Sequence, residues 1–177
     1  MIANDYPEAM FHICPAIDAT AKRFSGKRGR KNYKDFLTDN MDIVCGFSVG
    51  TPLSGIRLNY VIPGITAPDG SCSLEEIIYH SVRCGLAHEA AIPTNILITE
   101  NQLGDPNGSL LLPKSIICGL IMAVVGSPAN SLETCQETLC IHLNGVGFQI
   151  NQWWGRSGAL RKQMLSAIAS KSATEAT

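Results

Sequence analysis

Apolar residues recur at three- and four-residue steps from Ala9 to Phe24, through Met10, Ile13, Ile17, Ala21 and Phe24, the period of an amphipathic helix. Pro15 falls inside this pattern. A proline lacks a backbone donor and suits a first turn, so the pattern predicts a helix that begins near Cys14. A second helical stretch runs from Asn32 to Val44, with Tyr33, Phe36, Leu37, Met41 and Val44 on its stripe. Ser73 followed by Glu76 forms a capping-box pattern, in which hydroxyl and carboxylate satisfy each other's backbone amides, and predicts a helix from about Leu74 to His88. The run Ser115 to Val125 is almost wholly apolar. It falls short of the ~20 residues that span a bilayer and reads as a buried core helix. Further helices are expected from Ser131 to Leu139 and from Leu160 to Ile168.

Between the helices, alternation at Ile56 to Ile62 predicts a short strand or extended excursion. Asp105-Pro106-Asn107-Gly108 is turn chemistry flanked by the apolar runs 95–100 and 109–112, which predicts a hairpin. Asn144-Gly145 between Ile141-His142-Leu143 and the segment Val146 to Ile150 predicts a second one. The expected fold is mainly α: a helical bundle of about five helices with small β-hairpin additions. It occupies residues 1–168 as a single domain, and 169–177 are expected to form a flexible polar tail.

With 177 residues, of which 45% are hydrophobic and 16% charged, the chain can bury a sizeable core without a disulfide or metal staple. Met1 to Met10 carries Asp5 and Glu8 and has no basic-then-apolar signal pattern, so a cytoplasmic chain without membrane association is expected. The 7 cysteines form no CxxC pair and are expected to be reduced and mostly buried. Cys84 with His88, and Cys140 with His142, are single pairs without a matching second pair, so neither a metal nor a cofactor is expected. No Walker-type loop is present, and Gly145-Val146-Gly147 lacks the setting of a dinucleotide fingerprint. His142 reads as a strand residue, His12 and His80 as surface or packing residues, and Trp153 and Trp154 as packing residues.

Charge is balanced overall, at 14 basic and 15 acidic residues, but not locally. Lys22, Arg23, Lys27, Arg28, Arg30, Lys31 and Lys34 are half of the basic residues and have no acid among them, so the rest of the chain is net acidic. This segment is the predicted loop between the first two helices. Its residues Lys22, Arg23, Lys27, Arg28, Arg30 and Lys31 are candidate phosphate ligands on an anion-facing surface; the plain alternative is a solvated turn made flexible by Gly26 and Gly29.

The stretch Tyr79 to Glu89 holds the candidate chemistry. Arg83 offers a planar fork to phosphate oxygens and His88 can move a proton near neutrality, the two functions that metal-independent RNA cleavage needs. Five residues of regular helix leave the two about 140° apart, so a shared cleft requires the helix to loosen, with Gly85 the expected place. Cys84 with His88 is a lesser thiolate–imidazole alternative without an orienting third group. If the first helix lines the same cleft, Lys22 and Arg23 would set phosphates beside Arg83 and Asp18 would orient one of them; otherwise Asp18 pairs with Lys22.

Arg83-Cys84-Gly85-Leu86-Ala87-His88, with Tyr79 and Glu89 beside it and the segment Cys14 to Lys22 upstream, resembles the HEPN superfamily, whose signature is Arg, four to six residues, then His at a helix end. The resemblance implies a helical-bundle homodimer with facing motifs, acting as a metal-independent endoribonuclease of toxin or defence type, with Arg83 and His88 catalytic and an antitoxin protein as a further partner. Cys84 stands directly after Arg83, where many active members carry a polar residue. That departure keeps open a catalytically inactive module that binds nucleotide, RNA or protein, in which Arg83 pairs with Glu89 or with an acid of a partner.

Overall fold

The most apolar stretch of the sequence becomes the centre of the molecule. In the computed structural model, which describes residues 6–62, 65, 70–89 and 91–175, helix α6 (Ile116–Gly126) is buried along nearly its whole length. It packs against α3 (Met41–Val49) at Gly119, where a Cβ would lie 2.2 Å from the Val44 carbonyl oxygen. The other side of α3 meets α7 (Ser157–Glu175) the same way: a Cβ on Gly46 would collide with the Met164 thioether at 2.2 Å. Two glycines thus set how closely three helices approach. Arg161 fastens α7 to the start of α3 through Asp42, at 2.6 Å, and the Asp39 carbonyl, at 2.8 Å.

Helix α1 (Tyr6–Ser25) buries Tyr6, Met10, Ile13, Cys14, Ile17, Thr20 and Ala21. It starts earlier than its proline suggests. Pro15 lies inside the helix on its exposed side, where the missing donor is offset by the buried stripe that continues on both sides of it. The expected helix over 32–44 is two helices, α2 (Arg30–Asp39) and α3. The break is Asn40 (φ −122°, ψ 12°), whose side-chain amide donates to the Phe36 carbonyl at 2.8 Å and so satisfies the end of α2. The helix–basic loop–helix hairpin of α1 and α2 is as expected.

Ser73 and Glu76 form the expected reciprocal cap of α4 (Leu74–Ile77). The helix then widens to π geometry over Ile78–Arg83 and returns to α geometry in α5 (Cys84–Glu89). Loosening therefore comes before Gly85, not at it. Gly85 serves the chain's return: a Cβ there would sit 2.8 Å from the Ala91 carbonyl oxygen.

Three two-stranded sheets decorate this helical frame. The excursion at 56–62 pairs only as β1 (Arg57–Leu58) with β2 (Cys72–Ser73). The first expected hairpin is corrected: β3 (Ile96–Thr99) and β4 (Leu110–Pro113) run parallel. The turn is real, with Asn107 and Gly108 at φ 54° and 77°, but what it brings back against β4 is the single residue Gly104, bonded both ways to Leu111, so β3 takes the opposite edge. The second hairpin forms as expected, with β5 (Cys140–Leu143) against β6 (Val146–Gln149) across Asn144 and Gly145 at φ 50° and 80°.

No helix forms over 131–139, because the segment has no side to bury: Leu132 is 98% exposed and Leu139 49%. Helix α7 instead extends to Glu175, through most of the segment expected as a frayed tail. Trp153 and Trp154 are half-buried against the core, Trp153 with its ring centroid 5.6 Å from that of Phe148. The architecture is mainly α. Among the described residues no helix is long and apolar enough to cross a membrane, no disulfide joins the seven cysteines, and three of these, Cys14, Cys45 and Cys72, are buried.

Candidate functional site

Arg83 closes the π-helical stretch and points across to α1. Its Nη2 and Nε donate to Asp18 Oδ2 at 3.0 and 3.3 Å, and its guanidinium carbon lies 5.4 Å from the centre of the Tyr79 ring. Tyr79 in turn stands edge-on to Tyr33, 5.2 Å between centroids, and to His80, 5.0 Å. Burial works against the Arg83 charge, but the hydrogen bonds to Asp18 and Cys84 and the charge of Asp18 together outweigh it and hold the guanidinium more firmly protonated than usual. Beneath lies Cys14. Burial pushes its thiol up to about 11, with Tyr33 and Arg83 pulling part of the way back, so it stays protonated at neutral pH and serves as floor rather than nucleophile.

These groups face an open groove of about 460 Å³ between α1 and the Ile78–Glu89 helix, lined by Phe11, Pro15, Asp18, Arg28, Tyr79 and Arg83. Phe11 is 52% exposed at its edge. The first helix does line this cleft, but Asp18 pairs there with Arg83, a pairing the sequence pattern did not predict, and not with Lys22. The Glu89 side chain lies outside the described residues.

The basic segment divides. Arg28 reaches the groove. Arg23 turns away to Asn130 (2.9 Å) and Glu133 (2.5 Å), Lys31 pairs with Asp35 at 2.5 Å on its own helix, and Lys34 with Glu76 at 3.1 Å. Lys22, Lys27 and Arg30 are exposed. Of the six candidate phosphate ligands only Arg28 therefore shares a cavity with Arg83, and Arg23 is not beside it. Charge pairing accounts for Arg23 and Lys31: a cation one helical turn from an acid, or facing one on another element, is held there.

His88 does not share the Arg83 groove. It is exposed and lines a second groove of about 340 Å³ with Tyr60, His80, Cys84, Pro93 and Asn95. Since α5 is regular, the offset of about 140° between positions 83 and 88 is preserved and sends the two side chains to different sides of the helix. The Cys84–His88 pair does share this second groove. His80 resists protonation because of burial first, then the charges of Arg30 and Lys34, with Glu76 opposing. Glu76 is held below the usual carboxylate range: burial alone would raise it, and the Lys34 hydrogen bond and charge prevail.

The Cys14 to Lys22 segment, singled out by resemblance alone, supplies Cys14 and Asp18 to the groove wall; Phe11 at its rim carried no signal in the sequence. Among the described residues no three His, Cys, Asp or Glu side chains of one chain come together to hold a metal ion.

Residues 2–176 match the family described as Rv1289. The chain belongs to the Rv1289 family. Relatives include uncharacterised protein Rv1289 of Mycobacterium tuberculosis and uncharacterised protein Mb1320 of Mycobacterium bovis, each 26% identical over 155 residues, which cover 83% of this chain and 74% of theirs. No solved structure matches this member of the Rv1289 family.

Proposed function

We propose that this Rv1289-family protein is an RNA-binding module whose Arg28 and Arg83 hold backbone phosphate in the groove between α1 and the Ile78–Glu89 helix. The observation that carries this reading is that Arg28 and Arg83 line one open groove, whereas Arg23, Lys31 and Lys34 are paired with acids outside it. Asp18 holds the Arg83 fork in place and leaves Nη1 free of that carboxylate, while exposed Phe11 and the Tyr79 ring offer faces on which unpaired bases stack. The HEPN-like motif Arg83 to His88 agrees with RNA as the ligand.

Fluorescence anisotropy with a labelled single-stranded RNA tests it. Arg28→Ala and Arg83→Ala should each weaken binding and reduce the slope of log affinity against log salt by about 0.7–1. Arg28 is exposed and its variant keeps the fold, so unchanged affinity and slope in Arg28→Ala refute the reading.

Metal-independent cleavage is the second reading. It is favoured by the position of Ala87, which lines the Arg83 groove while its neighbour His88 is exposed, so that a second copy laid over α5 brings a histidine to the arginine. RNA fragments ending in 2′,3′-cyclic phosphate, formed in EDTA by wild type and not by His88→Ala, would establish it; intact RNA leaves the binding module alone.

A further inference from the structure

The β5–β6 hairpin, which lines neither groove, carries a second pair of reactive side chains. Cys140 and His142 are two residues apart on β5 and both exposed, on the face away from the core. Cys140 Sγ lies 3.9 Å from His142 Nε2. Opposite His142 in the ladder is Gly147, and a Cβ there would meet Cys140 Sγ at 3.1 Å and His142 Nε2 at 3.6 Å. The two donors thus lean together over the one position of β6 that has no side chain.

Their backbone is held firmly. The hairpin is closed by Asn144-Gly145, and its inner residues Leu143 and Phe148 are buried in the core. A zinc ion bound by thiolate at about 2.3 Å and imidazole at about 2.0 Å in tetrahedral geometry requires the two donors to be about 3.5 Å apart. The observed spacing needs a shift of a few tenths of an ångström to chelate. Sulfur with imidazole is a donor set that suits zinc, whereas hard cations such as Mg²⁺ take oxygen.

Two donors are half of a tetrahedral site, and no third ligand of the same chain is gathered there among the described residues. The missing half has the same chemistry as the half present. Two such faces related by a two-fold axis supply two thiolates and two imidazoles, and the open lane over Gly147 lets the hairpins approach. We infer that Cys140 and His142 are half of a Cys2His2 zinc site completed by the same residues of a second copy of this chain. Each zinc bound displaces one thiol proton from each copy. This inference is independent of RNA binding.

The test uses the full chain, reduced and metal-free, titrated with Zn²⁺ in sedimentation velocity and with Co²⁺ in absorption. Zinc should double the sedimenting mass at half an equivalent per chain, and cobalt should give a thiolate charge-transfer band with the visible bands of a tetrahedral ion. Cys140→Ser and His142→Ala, both at exposed positions, should abolish the mass change, and Gly147→Ala should weaken it by crowding the donors. An unchanged mass, binding of one zinc per chain without association, or association that survives in Cys140→Ser and His142→Ala each overturns the inference.

Discussion

The two grooves beside the Ile78–Glu89 helix differ in how their polar groups are held. In the first, Arg83 is gripped by Asp18, stacked on Tyr79 and floored by Cys14. In the second, His88 stands exposed and His80 has its Nε2 buried without a hydrogen-bond partner among the described residues. Preorganised groups bind ligands at less entropic cost than groups that must be ordered on binding. The sequence pair Arg83 and His88 is therefore split into a built half and a loose half, and the built half is the arginine.

Breaking the built half should have the largest effect. Arg83→Ala removes a partly buried charge-assisted pair and leaves Asp18 without its partner, so it should lower stability by about 2 kcal/mol, read from urea denaturation. A loss under about 0.5 kcal/mol would show that the groove is not organised by this pair. Next comes Gly85→Ala. Its Cβ would press on the Ala91 carbonyl and the Pro93 ring, a strain that should exceed the gain of about 1 kcal/mol in helix propensity and leave a net loss of about 1 kcal/mol. Since Gly85 lines the second groove, RNA affinity should not change with it.

Acid titration sharpens the contrast through the groups around His80. Its pKa is depressed in the folded state, so the stability it contributes is full above its unfolded value of about 6.5 and is lost as pH falls through the lower folded value. Glu76 is likewise depressed, and its contribution is lost further down, below the usual carboxylate range. His80→Gln should flatten the first part of the acid limb and Glu76→Gln the second, each measured as Tm against pH. The smallest effects on stability belong to exposed residues: His88→Ala and Arg28→Ala should each stay within about 0.5 kcal/mol of wild type. Only the latter should weaken RNA binding.

Much of this frame was legible where one local rule acted alone. The Ser73–Glu76 cap, the apolar run of α6 and the Asn144-Gly145 turn each gave the element they imply. Where two influences compete, local pattern was insufficient. Pro15 yielded to the stripe that continues past it, and the sound turn at 105–108 told nothing of β3 docking parallel on the far edge of β4. At the site, residue types at 83 and 88 were plain, but their separation follows from where the helix widens, over 78–83, for which the sequence carries no simple signal. The division of the basic segment likewise depends on Glu76 and Glu133, acids distant in sequence that fold against Lys34 and Arg23.

The central claim is that RNA lies in the Arg83 groove and not in the His88 groove. The direct test is photocrosslinking of the protein to RNA carrying 4-thiouridine, followed by mass spectrometry of the adducts. Attachment at Phe11 or Tyr79, lost in Arg28→Ala, is the predicted result. Attachment at Tyr60, on the wall shared with His80 and His88, would contradict it.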